Sequence, residues 1–142
     1  TLLREGPAIV QYIADLAPNK NLAPASGTLQ RYRLQEWLTF IGTEIHKTFS
    51  PLFRPDTPEE YKTICREKLL SRLKWLDEQL EGKDYLMGEH FSVADGYLFT
   101  VTNWAKPTGV DIGGLERLNA YRARVAARPA VQAAMKAEGL SK

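Results

Sequence analysis

Apolar residues recur along this chain at spacings of three and four, and no stretch shows the sustained alternation of a half-buried strand. Glu5 to Ala17 reads as a short helix, with Pro7 suited to its first turn and Ile9, Ile13 and Leu16 on one stripe. Pro18 stops it. Pro18 to Gly27 holds two prolines, two asparagines, a serine and a glycine without any period, which is linker chemistry. A second helix is predicted from Thr28 to about Phe49. At about 100° per residue its Leu34, Trp37, Leu38, Ile41 and Ile45 share a sector facing the core. Tyr32, Gln35, Glu36, Thr39, Thr43 and His46 form a polar stripe on the other side, with Arg31 and Lys47 at its edges.

Thr57-Pro58-Glu59-Glu60 combines a capping residue, a proline for the first helical position and a glutamate three after the cap, so a third helix is predicted from there to about Glu81. Its apolar stripe is Tyr61, Ile64, Cys65, Leu69, Leu73, Leu76 and Leu80, and Gly82 ends it. Ser92 and Asp95 are spaced as a capping pair for a helix from Val93 to Ala105. That helix is apolar nearly all round and therefore central. A helix from Leu115 to Ala127 presents Leu118, Tyr121 and Val125, and a last short one runs from Pro129 to Ala137. The expected fold is all-α: a bundle of about five helices over residues 28–142, preceded by a linker at 18–27 and by a short helix within 1–17.

The composition fits one sizeable core plus a fragment: 142 residues, 44% hydrophobic and 25% charged. A net charge of +2 argues against nucleic acid as a partner. One cysteine cannot form an internal disulfide, and two histidines far from it offer no zinc spacing, so a reducing cytoplasm is the default compartment and no metal is expected. No run approaches the ~20 apolar residues of a membrane span, and no secretory signal opens the chain. The first residue is Thr1 and not Met, so the natural protein is expected to start earlier.

Cys65 shares an apolar stripe and reads as a buried, inert thiol, and His90 as a solvated loop residue. His46 admits two readings. With Lys47 beside it and Thr43 and Thr39 one and two turns before it, it could hold an anion or a thiolate in a cleft; a solvated helix face is the other, and spacing alone favours the latter. Trp37, Trp75 and Trp104 read as core residues, although Trp104 precedes a proline- and glycine-containing loop where it could line a pocket.

The stretch Leu3-Arg4-Glu5-Gly6-Pro7-Ala8-Ile9-Val10-Gln11-Tyr12-Ile13-Ala14-Asp15 resembles the helix that closes the thioredoxin-like domain of bacterial glutathione S-transferases. The resemblance continues through Glu36-Trp37-Leu38, Thr43-Glu44-Ile45-His46-Lys47, Ser50-Pro51-Leu52-Phe53-Arg54-Pro55 and Phe91-Ser92-Val93-Ala94-Asp95-Gly96-Tyr97-Leu98-Phe99. The last three stretches are similar to the beta class in particular. The resemblance implies a helical bundle of the glutathione transferase C-terminal type, with residues 1–17 as a remnant of the thioredoxin-like domain.

It also implies roles. Glu5 and Gly6 would hold the γ-glutamyl end of glutathione, Thr43, Glu44, Ile45, His46 and Lys47 would contact the tripeptide, and His46 would face its sulfur as the catalytic group. Arg31 and Thr39 would reach glutathione from the neighbouring subunit of a homodimer, Thr39 standing where the resembling proteins carry asparagine. Trp104 would wall the site of a small electrophile. No cofactor is implied, glutathione being a co-substrate. The implied nucleophile-bearing strand and helix have no counterpart in these residues, so the chain by itself is expected to be inactive or very weak. The rival expectation is a non-catalytic helical domain of the same type that serves protein–protein assembly. With residues 1–17 as such a remnant, Ile9, Ile13 and Leu16 should be exposed or covered by a neighbouring molecule.

Overall fold

The computed structural model describes residues 2–141, and among these the regular elements are helices. Helix α1 is Gly6–Leu16, and α2, Leu29–Phe40, follows the linker. A π-helical turn, Ile41–His46, then runs without a break into the short α3, Lys47–Phe49. The long α4 is Glu59–Gln79, α5 is Val93–Thr102 and the single-turn α6 is Ala105–Thr108. Helices α7, Glu116–Ala126, and α8, Pro129–Ala137, complete the chain.

Leu34, Leu38, Ile41, Ile45 and Phe49 along α2, the π turn and α3 meet Leu69, Leu73 and Leu76 of α4, Leu98 and Val101 of α5, and Leu118, Tyr121 and Val125 of α7 in one continuous core. Helix α5 is its axis, touching α1, α2, the π turn and α7. The apolar face of α1 is divided: Ala14 is buried, Val10 packs against the core and Ile9 is half-buried, while Ile13 and Leu16 are exposed.

The start of α5 is fixed by a buried carboxylate. Asp95 accepts the Ser92 amide at 2.8 Å, the Leu86 amide at 2.9 Å and the Tyr121 hydroxyl at 2.8 Å, with the Ser92 hydroxyl at 3.2 Å. Burial pushes this carboxyl above its ordinary range, and the surrounding donors pull it back towards the charged form. One side chain thereby caps α5, pins the preceding loop and anchors α7.

Several predicted details are corrected. Thr57 does not cap α4; the cap position falls one residue later, on Pro58, with no side-chain bond. Tyr61 and Ile64 are exposed, because the inward-facing line one turn before Cys65 passes through Lys62, whose side chain is mostly buried and paired with Glu59. The helix predicted to Ala105 ends at Thr102, and Pro107 lies inside α6, where its missing amide hydrogen falls among the donors that a first turn leaves free in any case. Trp75 is not a core residue: it is exposed and packs tilted against Phe40, at 4.9 Å between centroids, beside Trp37.

Candidate functional site

Between the start of α1 and the polar side of the π turn lies an open groove of about 460 Å³. Glu5, Gly6 and Pro7 form one wall, Thr39, Gly42, Thr43, His46, Lys47 and Ser50 the other, and Tyr97 of α5 reaches in between.

The first wall is built by backbone constraint. Glu5 adopts φ 68° and ψ 117°, a left-handed setting unusual for a residue with a side chain and of the kind that clusters at binding sites. Its carbonyl accepts the amides of Ala8 and Ile9, both at 3.0 Å. Pro7 has no amide hydrogen, so Gly6 carries the donor of the first turn that stays free of the Glu5 carbonyl. An exposed carboxylate beside a helix-start amide suits a ligand with an ammonium and a carboxylate close together.

The second wall depends on the widened turn. Thr43, Thr48 and Ser50 each return a hydroxyl to the carbonyl four residues back, on Thr39, Glu44 and His46. Such back-bonding bends helices, and π turns occur frequently at functional sites. Here the extra backbone lets Ile41, Ile45 and Phe49 stay buried while Gly42, Thr43, His46 and Lys47 face the groove.

His46 sits in a polar and aromatic frame. Its Nδ1 is 2.7 Å from the Tyr97 hydroxyl, and its ring packs edge-on to Trp104 at 4.9 Å between centroids. Trp104 in turn meets Phe49 at 5.8 Å and the exposed Phe53 at 5.5 Å, forming an aromatic floor next to the histidine. Burial, with the Glu5 carboxylate adding to it, raises the Tyr97 phenol above its ordinary value and keeps it protonated.

Of the sequence-predicted residues, Glu5, Gly6, Thr39, Thr43, His46 and Lys47 come together in this groove, and Trp104 lies against His46. The side chains of Glu44 and Ile45 do not join them. Glu44 turns to α4, with Arg72 at 3.4 Å and Lys68 at 4.0 Å, and Ile45 is in the core, since five consecutive helical residues cannot face one way. Arg31 is buried away from the groove, bonded to Asp15 and to the Pro24 carbonyl. Pro7, Leu38, Gly42, Ser50 and Tyr97 also line the groove and were not among the sequence candidates; of these Tyr97 brings a polar group to His46. A tyrosine within a central helix needs a partner for its hydroxyl, and that was the available signal.

A larger open hollow of about 850 Å³, bordered by Lys20, Leu22, Met87, Phe91 and Arg128, contains none of the candidate residues. No helix among the described residues is long and apolar enough to cross a membrane.

The model of the glutathione S-transferase C-terminal domain matches residues 40–129. Glutathione S-transferase GstA of Escherichia coli O157:H7 is 48% identical over 140 residues, covering 99% of this chain and 70% of that protein. The structure of a sphingomonad glutathione S-transferase complexed with glutathione superposes with a TM-score of 0.93 at 48% identity, over 98% of this chain and 69% of that one. The bacterial beta-class glutathione S-transferase of Sphingomonas chungbukensis gives 0.94 at 47%, again over 98% and 69%. With the Glu5–Gly6 turn and the His46 groove in place on that fold, the chain belongs to the glutathione S-transferase family, in its bacterial beta class.

Proposed function

We propose that the protein binds glutathione in the groove between α1 and the π turn and, as a homodimer, conjugates its thiolate to small electrophiles, with no further cofactor. The observation that carries this reading is the convergence of the Glu5–Gly6 turn with His46 and Lys47, brought from separate elements to one groove. The Glu5 carboxylate and Gly6 amide match the zwitterionic γ-glutamyl end of the tripeptide. His46 and Lys47 would supply a donor and a positive charge, which favour an anionic sulfur. An assembly module has no need of these groups together.

In this reaction the thiol proton leaves to solvent, a sulfur lone pair forms the bond to the electrophilic carbon, and the leaving group departs with its bonding electrons. Trp104 and Phe53 offer the apolar surface on which an electrophile can lie next to that sulfur. Conjugation of glutathione to a chromogenic electrophile by the full-length protein tests the reading. His46→Ala should lower kcat/KM by roughly ten- to a hundredfold, the range for loss of one hydrogen bond to a charged centre. A wild-type rate no greater than that of buffer overturns the proposal.

A further inference from the structure

The Tyr97 hydroxyl and His46 Nδ1, 2.7 Å apart, must share one hydrogen between them. A phenol, with an ordinary pKa of about 10, is a far better acid than the N–H of a neutral imidazole, and the bare ring nitrogen is the better base. The phenol therefore donates. Tyr97 remains protonated in this half-buried position, so the donor is in place at neutral pH. Once Nδ1 accepts, the single hydrogen of the neutral ring resides on Nε2.

We propose that Tyr97 is a positioning residue that holds His46 in its Nε2–H tautomer, so that the imidazole donates a hydrogen bond to the substrate sulfur and does not take up its proton. The part concerning the sulfur rests on the functional reading above; the part concerning the tautomer stands on the geometry alone. The surroundings are arranged for the bond. Gly42 lies against the hydroxyl, where a Cβ would sit 3.6 Å from it in ordinary van der Waals contact. Tyr97 comes from α5, the best-buried helix, and the His46 ring also packs edge-on against Trp104, which restricts its rotation. Without the phenol nothing fixes which ring nitrogen carries the hydrogen, and the ring is free to tautomerise.

The chain contains two histidines, and His90 is exposed, which makes it an internal reference. A long-range proton–nitrogen correlation spectrum of isotope-labelled protein, at alkaline pH where an ordinary imidazole is neutral, reads the tautomer of each ring. The wild-type protein should show His46 with its hydrogen on Nε2 alone. Tyr97→Phe should move His46 towards the averaged mixture seen for His90 and leave His90 unchanged. A wild-type hydrogen on Nδ1 overturns the proposal even if the variant does not fold, and so does a His46 spectrum that Tyr97→Phe leaves unaltered.

The second readout is the thiolate absorbance of glutathione added to the full-length protein. Its thiolate fraction at neutral pH should fall in Tyr97→Phe, because a ring free to tautomerise presents Nε2–H only part of the time. An unchanged fraction with glutathione still bound overturns the part concerning the sulfur. Failure of the wild-type protein to bind glutathione overturns both that part and the functional reading, while the spectrum still decides the tautomer.

Discussion

Arg31 of α2 closes on Asp15 of α1 and, through Nε, on the Pro24 carbonyl at 2.7 Å, so that one buried guanidinium joins the first helix, the linker and the second helix. Arg31 is 5% exposed, whereas half of the Asp15 side chain faces water. Together with the Gln35–Gln11 hydrogen bond and the burial of Ala14, this tie holds α1 so that Glu5 lies opposite His46.

Arg31→Ala should therefore weaken both stability and the groove. Loss of the Pro24 hydrogen bond and of the buried aliphatic stem costs about 1–3 kcal/mol, read as a lower urea midpoint. Glutathione affinity should fall as well, although the residue does not line the groove.

The same pair gives a pH dependence. The hydrogen bond from Arg31, helped by its charge, holds the Asp15 carboxyl below its ordinary value. A depressed folded-state pKa contributes stability that is complete above the unfolded value of about 3.9 and is lost as pH falls through the folded value. Asp15→Asn should remove this contribution, so the urea midpoints of variant and wild type should differ most near neutral pH and approach each other below about pH 4. A difference that stays constant across that range would show that the pair plays no part.

Asp95 should be the most sensitive polar position. Asp95→Ala leaves the Leu86 and Ser92 amides and the Tyr121 hydroxyl without their acceptor, costing about 3–5 kcal/mol at roughly 1–3 per unsatisfied group with partial relaxation. Asp95→Asn should recover little of this, because its amide nitrogen would face a backbone N–H. Chemical denaturation of both variants reads the difference.

Trp104→Ala should separate the two substrates. Removing the ring that meets His46, Phe49 and Phe53 should raise KM for an apolar electrophile several-fold, in line with about 1–3 kcal/mol for a lost apolar contact. KM for glutathione should change less, since Trp104 reaches the groove only through its packing on His46.

The helices were legible where periodicity and capping agree, as at Ser92 with Asp95 and along Leu69, Leu73 and Leu76. The π turn was not, because a local widening by one residue leaves the apolar spacing of Leu38, Ile41 and Ile45 close to that of an ordinary helix. Arg31 looked like the edge of a polar stripe, since nothing in its own helix signals that Asp15 and Pro24 fold back over it. Spacing made His46 visible as chemistry, and only the family resemblance marked it as a site. What makes it one, the Tyr97 hydroxyl and the Glu5–Gly6 turn, comes from residues about fifty and forty positions away, a separation that helical spacing cannot bridge.

The central claim is that the Glu5–Gly6 turn and His46 form one glutathione site. Calorimetric titration of the full-length protein with glutathione tests it most directly, with Glu5→Ala measured alongside. Saturable binding that Glu5→Ala weakens about tenfold or more is the predicted result, as for loss of a charged hydrogen-bond partner. Absence of binding, or equal affinity in the wild type and Glu5→Ala, would contradict the account.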